Sequence, residues 1–179
     1  MSWLEQIGDV LNRYSGSQSS QPPTGVADDF AKVAAHAPPS AVAGGLANAF
    51  RSPSTPPFNE MVAQLFERSD PQQRAGILNQ LIAAAGPAAS GVIGKLLRDF
   101  SGSAPQAQTP VGGQPTVTPQ QAQQIQPATV GELAEHAQKN DPSIVDRAGE
   151  FYAQHPKLVQ GLGAAALALV MSHVSQRQA

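Results

Sequence analysis

The chain has 179 residues, 41% of them hydrophobic, and its 11 Lys and Arg against 13 Asp and Glu give a formal net charge of -2. The basic residues are scattered, so no field gathers a polyanion and nucleic acid is excluded as an expected partner. Cysteine is absent, which rules out disulfides and thiolate metal sites.

The first element is read from MSWLEQIGDVLNRY. Trp3, Leu4, Ile7, Val10, Leu11 and Tyr14 recur at helical spacing, with Glu5, Gln6, Asp9, Asn12 and Arg13 on the other side. Ser2 followed by Glu5 fits a capping box. The residues 1–14 thus form an amphipathic helix, and its stripe is the expected partner-docking surface. Its acids interrupt any basic n-region or apolar h-region, so no secretory signal is expected and the expected location is cytoplasmic. Residues 15–25 (SGSQSSQPPTG) hold no apolar surface to offset chain entropy and read as a flexible tether.

Residues 26–100 read as a helical region with explicit punctuation. Phe30, Val33 and Ala34 mark one helix stopped by Pro38-Pro39; Val42, Leu46, Ala49 and Phe50 mark the next, capped by Ser40 and ended near Ser52-Pro53. Phe58, Met61, Val62, Leu65 and Phe66 form a third stripe. Asp70-Pro71 supplies an N-cap carboxylate and a first-turn proline to a fourth helix on Ile77, Leu78, Leu81 and Ile82. After Gly86-Pro87 a fifth runs on Val92, Ile93, Leu96, Leu97 and Phe100.

Residues 101–117 are dense in Pro, Gly and Gln and read as a linker. The C-terminal helical region, 118–175, opens with Thr118-Pro119; Thr129 with Glu132 suggests a second capping box and Asp141-Pro142 a second Asp-Pro start. The last helix is expected to run unbroken from Pro156, leaving 176–179 as a tail. Its apolar stretch, 158–174, is Ala-rich, contains Gln160 and falls short of the ~20 apolar residues that span a bilayer. Gly161, Ala164, Ala165, Ala168 and Ser172 make one side smooth, the expected self-association face of a homo-oligomer, opposite Leu158, Val159, Leu162, Leu169, Val170 and Val174. No stretch alternates with period two, so the class is all-α: short helices in αα-hairpin-like units, in two helical regions joined by a flexible linker.

FNEMVAQLFERSDPQQRAG and VGELAEHAQKNDPSIVDRAG share a stripe, a polar turn, Asp-Pro and Arg-Ala-Gly, and FAKVAAHAPPSAVAGG is a looser third copy. The stretches HAQKNDPSIVDRAGEFYAQHPKLVQGLGAAAL and PPFNEMVAQLFERSDPQQRAGILNQLIAAAGP resemble a group of small uncharacterised bacterial all-α proteins and, more distantly, the YidB-like helical family. The resemblance covers about half of the chain. It implies a bacterial source and a helical fold, with no activity to carry over.

No catalytic pairing is legible, and GVIGKLL lacks the glycine spacing, strand and Ser or Thr after Lys95 of a phosphate loop. Glu132, Glu135, His136, Asp141, Asp146, Glu150 and His155 include i, i+4 pairs that permit metal geometry. Capping and a solvated face account for them more simply. His36 and His136 each fall near a helix C-terminus, where imidazolium meets the negative dipole end. No cofactor, metal or catalytic residue is therefore expected. The expected function is a non-enzymatic helical interaction or scaffold protein whose partner is another protein or itself. The alternatives are a peripheral membrane protein using an apolar helix, disfavoured because Glu5 and Asp9 face Arg13 alone, and an enzyme with an unrecognised site.

Overall fold

The computed structural model describes residues 3–12, 14, 24–89, 91–92, 94–95 and 116–176. The described residues are all-α: α1 Trp3–Asn12, α2 Val26–His36, α3 Pro39–Arg51, α4 Phe58–Arg68, α5 Pro71–Ala85, a 3-10 turn Gly86–Ala89, α6 Pro119–Ala122, α7 Pro127–Asn140, α8 Ile144–Ala153, α9 Pro156–Val159 and α10 Ala164–Gln176. Residues 15–23 of the tether, residues 101–115 of the linker, most of the fifth helical stripe and the Ser2 cap lie outside the described residues.

Contacts gather the chain into two units, Met1–Pro57 with Val145–Ala179, and Phe58–Ile144. The divisions fall at 57/58 and 144/145. In the contiguous unit, α7 lies along both α4 and α5. Phe58, Met61, Val62, Leu65 and Phe66 are at most 1% exposed, as are Ile77, Leu78 and Leu81 opposite. The stripes therefore face one core. Asp70 caps α5 through a full capping box, accepting from Gln73 N at 2.9 Å while Gln73 Oε1 accepts from Asp70 N at 3.0 Å. Arg74 stacks on the Phe66 ring at 5.0 Å and donates to the Glu67 and Ser69 carbonyls, tying α5 to the end of α4. At the other end of α5, Asn140 Nδ2 donates to Ala84 O at 2.7 Å, satisfying a carbonyl that the helix end leaves orphaned.

Asn79 reaches from α5 to the segment before α6. Its Oδ1 accepts from Val117 N at 2.8 Å and its Nδ2 donates to Val117 O at 3.2 Å, so one side-chain amide pairs with one extended residue as a neighbouring strand would. Val117 is 7% exposed, and Thr118 then caps α6 by a capping box with Gln121. Replacing Asn79 with Ala unpairs both Val117 backbone groups, and we expect a loss of about 1–3 kcal/mol, with faster amide exchange at Val117. Unchanged protection there would show that the clamp contributes nothing.

In the other unit α3 is central. Its sequence PSAVAGGLANAFR places Ala43 and Ala47 on one face and Gly45 on the other, about 180° away at 100° per residue. Both faces are smooth, and both are used. A Cβ on Gly45 would lie 2.8 Å from Val170 Cγ1 and 3.0 Å from Val170 O of α10; a Cβ on Gly149 of α8 would lie 2.7 Å from Ala43 O. Two helices thus approach α3 at backbone distance from opposite sides. Arg51 and Asp146 close the end of the α3–α8 contact with two parallel bonds of 2.8 Å, and Phe50 meets the Tyr152 ring edge-on at 6.5 Å.

Several expected starts and stops are corrected. The Pro38-Pro39 stop holds, since α2 ends at His36 with Ala37 extended before proline, but α3 begins at Pro39 with Pro38 as its cap residue, ahead of Ser40. Pro127 likewise starts α7, so Thr129 is already inside the helix and no side chain caps it. Asp141 ends α7 and accepts from both Ser143 N and Ser143 Oγ. That local turn delays α8 to Ile144; where Asp70 has Gln73 three residues on to complete a box, Asp141 has Ile144. The second repeat copy is thus split, α7 going to one unit and α8 to the other. The final helix is broken as well: Gly161, Leu162 and Gly163 form the turn between α9 and α10, because glycines on both sides of Leu162 lower the cost of leaving the helix.

Candidate functional site

The amphipathic helix α1 packs on α2 and α10 of its own unit. Ile7 of α1 is 1% exposed and Tyr14, in a turn two residues past the end of α1, is 0% exposed. Val10 between them is half-buried, while Asp9 and Asn12 are exposed. Trp3, Leu4 and Leu11 belong to α1, and their side chains fall outside the described residues. The docking stripe is thus seated within the chain where it is described.

Among the described residues the seat includes a buried polar contact. Tyr14 Oη donates to Asp29 Oδ2 at 3.0 Å in a buried bond between residues 15 apart. Asp29 lies in the first turn of α2 and is 6% exposed. A carboxylate there is favoured by the helix dipole, and the phenol gives it a charge-assisted partner away from water. The seat is thus built on two helices, α2 and α10, and includes a buried carboxylate that accepts from a hydroxyl.

Of the expected self-association residues, Gly161 lies in the turn before α10, Ala164 is exposed, Ala165 and Ser172 are half-buried, and Ala168 is 3% exposed. They do not form one continuous smooth face, because the helix breaks before Ala164, and α10 packs chiefly on α3. The close approach there is supplied by Gly45 of α3, with bulky Val170 as the partner. Asn48 of α3 and His173 of α10 also share a short side-chain hydrogen bond.

Among the described residues no three His, Cys, Asp or Glu side chains converge as a metal would require. Glu132 pairs with Lys95 at 3.0 Å, Glu135 with Lys139 one turn along α7, and Asp146 with Arg51. His155 stands edge-on to Phe151 at 5.0 Å. His36 Nδ1 lies 2.8 Å from Lys32 O, meeting a carbonyl at the end of α2 as its position suggested. The Arg51 hydrogen bond holds the Asp146 carboxyl below its ordinary value. A group depressed in the folded state contributes stability above its unfolded value near 3.9 and loses it as pH falls further. With the two side chains 44% and 54% exposed, solvent screening keeps the pair to about 1 kcal/mol or less. Asp146→Asn should therefore lower stability slightly at pH 7 and leave it unchanged well below pH ~3 in a denaturant series.

Sequence reading also missed Tyr152. Tyr152 is 0% exposed, its hydroxyl has no hydrogen-bond partner among the described residues, and burial pushes its ionisation far above the ordinary phenol value. Tyr152→Phe removes the unsatisfied hydroxyl and keeps the Phe50 and Phe151 ring contacts. We expect a gain of about 1 kcal/mol in thermal or urea unfolding, because a buried unpaired polar group costs that much or more. A loss of stability would place a partner at the hydroxyl.

No family model, curated protein or solved structure matches the chain.

Proposed function

We propose that the chain is a non-enzymatic helical interaction protein, with α1 as a docking helix and the α2–α10 face as a seat for an amphipathic helix. The observation that carries this reading is the Tyr14–Asp29 bond beside the buried Ile7. Residues 15–25 between α1 and α2 are Ser, Gly, Gln, Pro and Thr, a composition that connects without adding contacts. An apolar helix face laid on two helices is a recurring mode of peptide recognition; here Ile7 on the helix and Tyr14 in the turn after it are the buried anchors. In this reading α1 occupies the seat at rest and competes with any other helix for it. The bacterial source implied by the resemblance and the cytoplasmic location belong to the same proposal. The membrane alternative is weakened because Ile7 and Tyr14 are already covered by protein.

A synthetic peptide of residues 1–14, carrying a fluorophore, tests the seat. The full chain with Tyr14→Ala should bind it measurably. The unaltered chain should bind it more weakly, since its own helix competes at an effective concentration on the order of millimolar. Absence of binding to either chain would end the proposal.

A further inference from the structure

We infer that Asp29 is the specificity-determining residue of the seat: it accepts a helix followed by a hydroxyl donor, as the chain's own α1 is followed by Tyr14, and disfavours a helix that brings only apolar side chains. The inference rests on the docking reading above and adds what the seat selects. Val26, Asp29, Phe30 and Val33 are the buried residues of α2, and steps of three, four and seven from Val26 place them on one helical stripe. An apolar side chain at position 29 would complete it. The helix dipole does not explain the exception, because Asp28 already puts an acid in the first turn, at an exposed position where it stays hydrated. Asp29 instead lies on the buried side and receives the Tyr14 hydroxyl at 3.0 Å.

A buried carboxylate is costly unless it is hydrogen-bonded, and that cost is what discriminates. A site built to meet a hydroxyl rejects the analogue that lacks one, whereas apolar contacts reject an apolar competitor only weakly. Tyr14 and Asp29 each make further interactions, so the hydroxyl is one partner among several. Its absence therefore weighs as one hydrogen bond to a charged group, roughly 10–100-fold in the docking equilibrium. The same bond sets the register of α1. Apolar burial is non-directional and tolerates a slide along the seat, but a slide of one turn, about 5.4 Å, carries the hydroxyl out of reach of Asp29. A single polar residue in an apolar contact fixes register in this way, at a cost in stability.

The test is a two-by-two comparison in the full chain, Tyr14 or Tyr14→Phe against Asp29 or Asp29→Leu, read as amide exchange over 3–12. Beside Asp29, Tyr14→Phe should speed exchange of α1 roughly 10–100-fold. In the Asp29→Leu background the same change should alter exchange by less than about threefold, because a ring without a hydroxyl then meets an apolar side chain. The second substitution thus rescues the first, which a merely structural tyrosine would not allow. Asp29→Asn keeps an acceptor without the charge, so there Tyr14→Phe should give an intermediate loss of roughly 3–10-fold. Equal losses beside Asp29 and in Asp29→Leu, or no loss in either, would overturn the selectivity and leave the docking reading standing. If Asp29→Leu unfolds α2, seen as lost protection over 26–36, the Asp29→Asn background decides: a loss as large as beside Asp29 overturns the inference, and a smaller one supports it. No protection over 3–12 in the unaltered chain would overturn both the docking reading and the inference.

Discussion

Gly149→Ala should destabilise the unit that contains α3 by about 2 kcal/mol. The added methyl would stand 2.7 Å from Ala43 O and 3.3 Å from Ala47 N, both backbone atoms of α3. Neither can step aside as a side-chain tip would, so the helices must separate, and overpacking of this kind costs about 1–3 kcal/mol. Against this, alanine is the better helix former by up to about 1 kcal/mol, but that gain does not offset moving α8 off α3. Separation also disturbs the two bonds between Arg51 and Asp146 and the Phe50–Tyr152 contact. For a unit of this size each kcal/mol lowers the thermal midpoint by roughly 4–8 °C. Gly131→Ala in α7 is the matched comparison. There the new methyl meets Asn59 O at 3.4 Å, an ordinary contact, so the propensity gain should leave stability level or slightly raised. Equal losses in both variants would show that the close approach is not what the glycine at 149 provides.

Tyr14→Ala should release α1 while the rest of the unit stays folded. Truncating a fully buried aromatic ring costs about 3–5 kcal/mol, and the seat of α1 is described by only two buried side chains, Ile7 and Tyr14. The variant also strips the Asp29 carboxylate, 6% exposed, of a charge-assisted donor that alanine cannot replace. A short helix that loses its packing has little stability of its own. The expected result is loss of amide protection across 3–12, with protection of α3 and α10 retained and only a small shift of the main unfolding transition. Tyr14→Phe should fall between, keeping the ring and losing the bond. If α3 and α10 lose protection together with α1, then α1 is an integral part of that core and its description as a docking helix fails.

Much of the fold was legible because its helices are written in apolar stripes and ended by proline. Val42, Leu46 and Phe50, or Phe58, Met61, Val62 and Leu65, are buried as their spacing requires. Starts were less legible where two signals competed. Pro39 and Pro127 preside over positions where Ser40 and Thr129 also offered caps, and a ring fixed near helical φ won both times. The break at Gly161-Leu162-Gly163 was hidden by the apolar character of the whole stretch, which continues across the turn. At the candidate site one half was readable and the other was not. The stripe of α1 is visible as a pattern, whereas Asp29 resembles any acid in a first helical turn, and only tertiary contact shows that Tyr14 reaches it. The small residues of α3 stand out in no local pattern; their value lies in two neighbours that come from far along the chain, which no local period records.

The path of the chain through its two units sets an order for its birth on the ribosome. Residues 58–144 are continuous, and with a capped α5 and a local α4–α5 connection they can condense as soon as they emerge. The unit around α3 must wait, because α8 and α10, which cover its two smooth faces, are made last. At about 5–20 residues per second the 119 residues from 58 to 176, the end of α10, take roughly 6–24 s. For those seconds α2 and α3 are out with α8 and α10 missing, while α1, which packs on α2 in the finished unit, is already synthesised beside them.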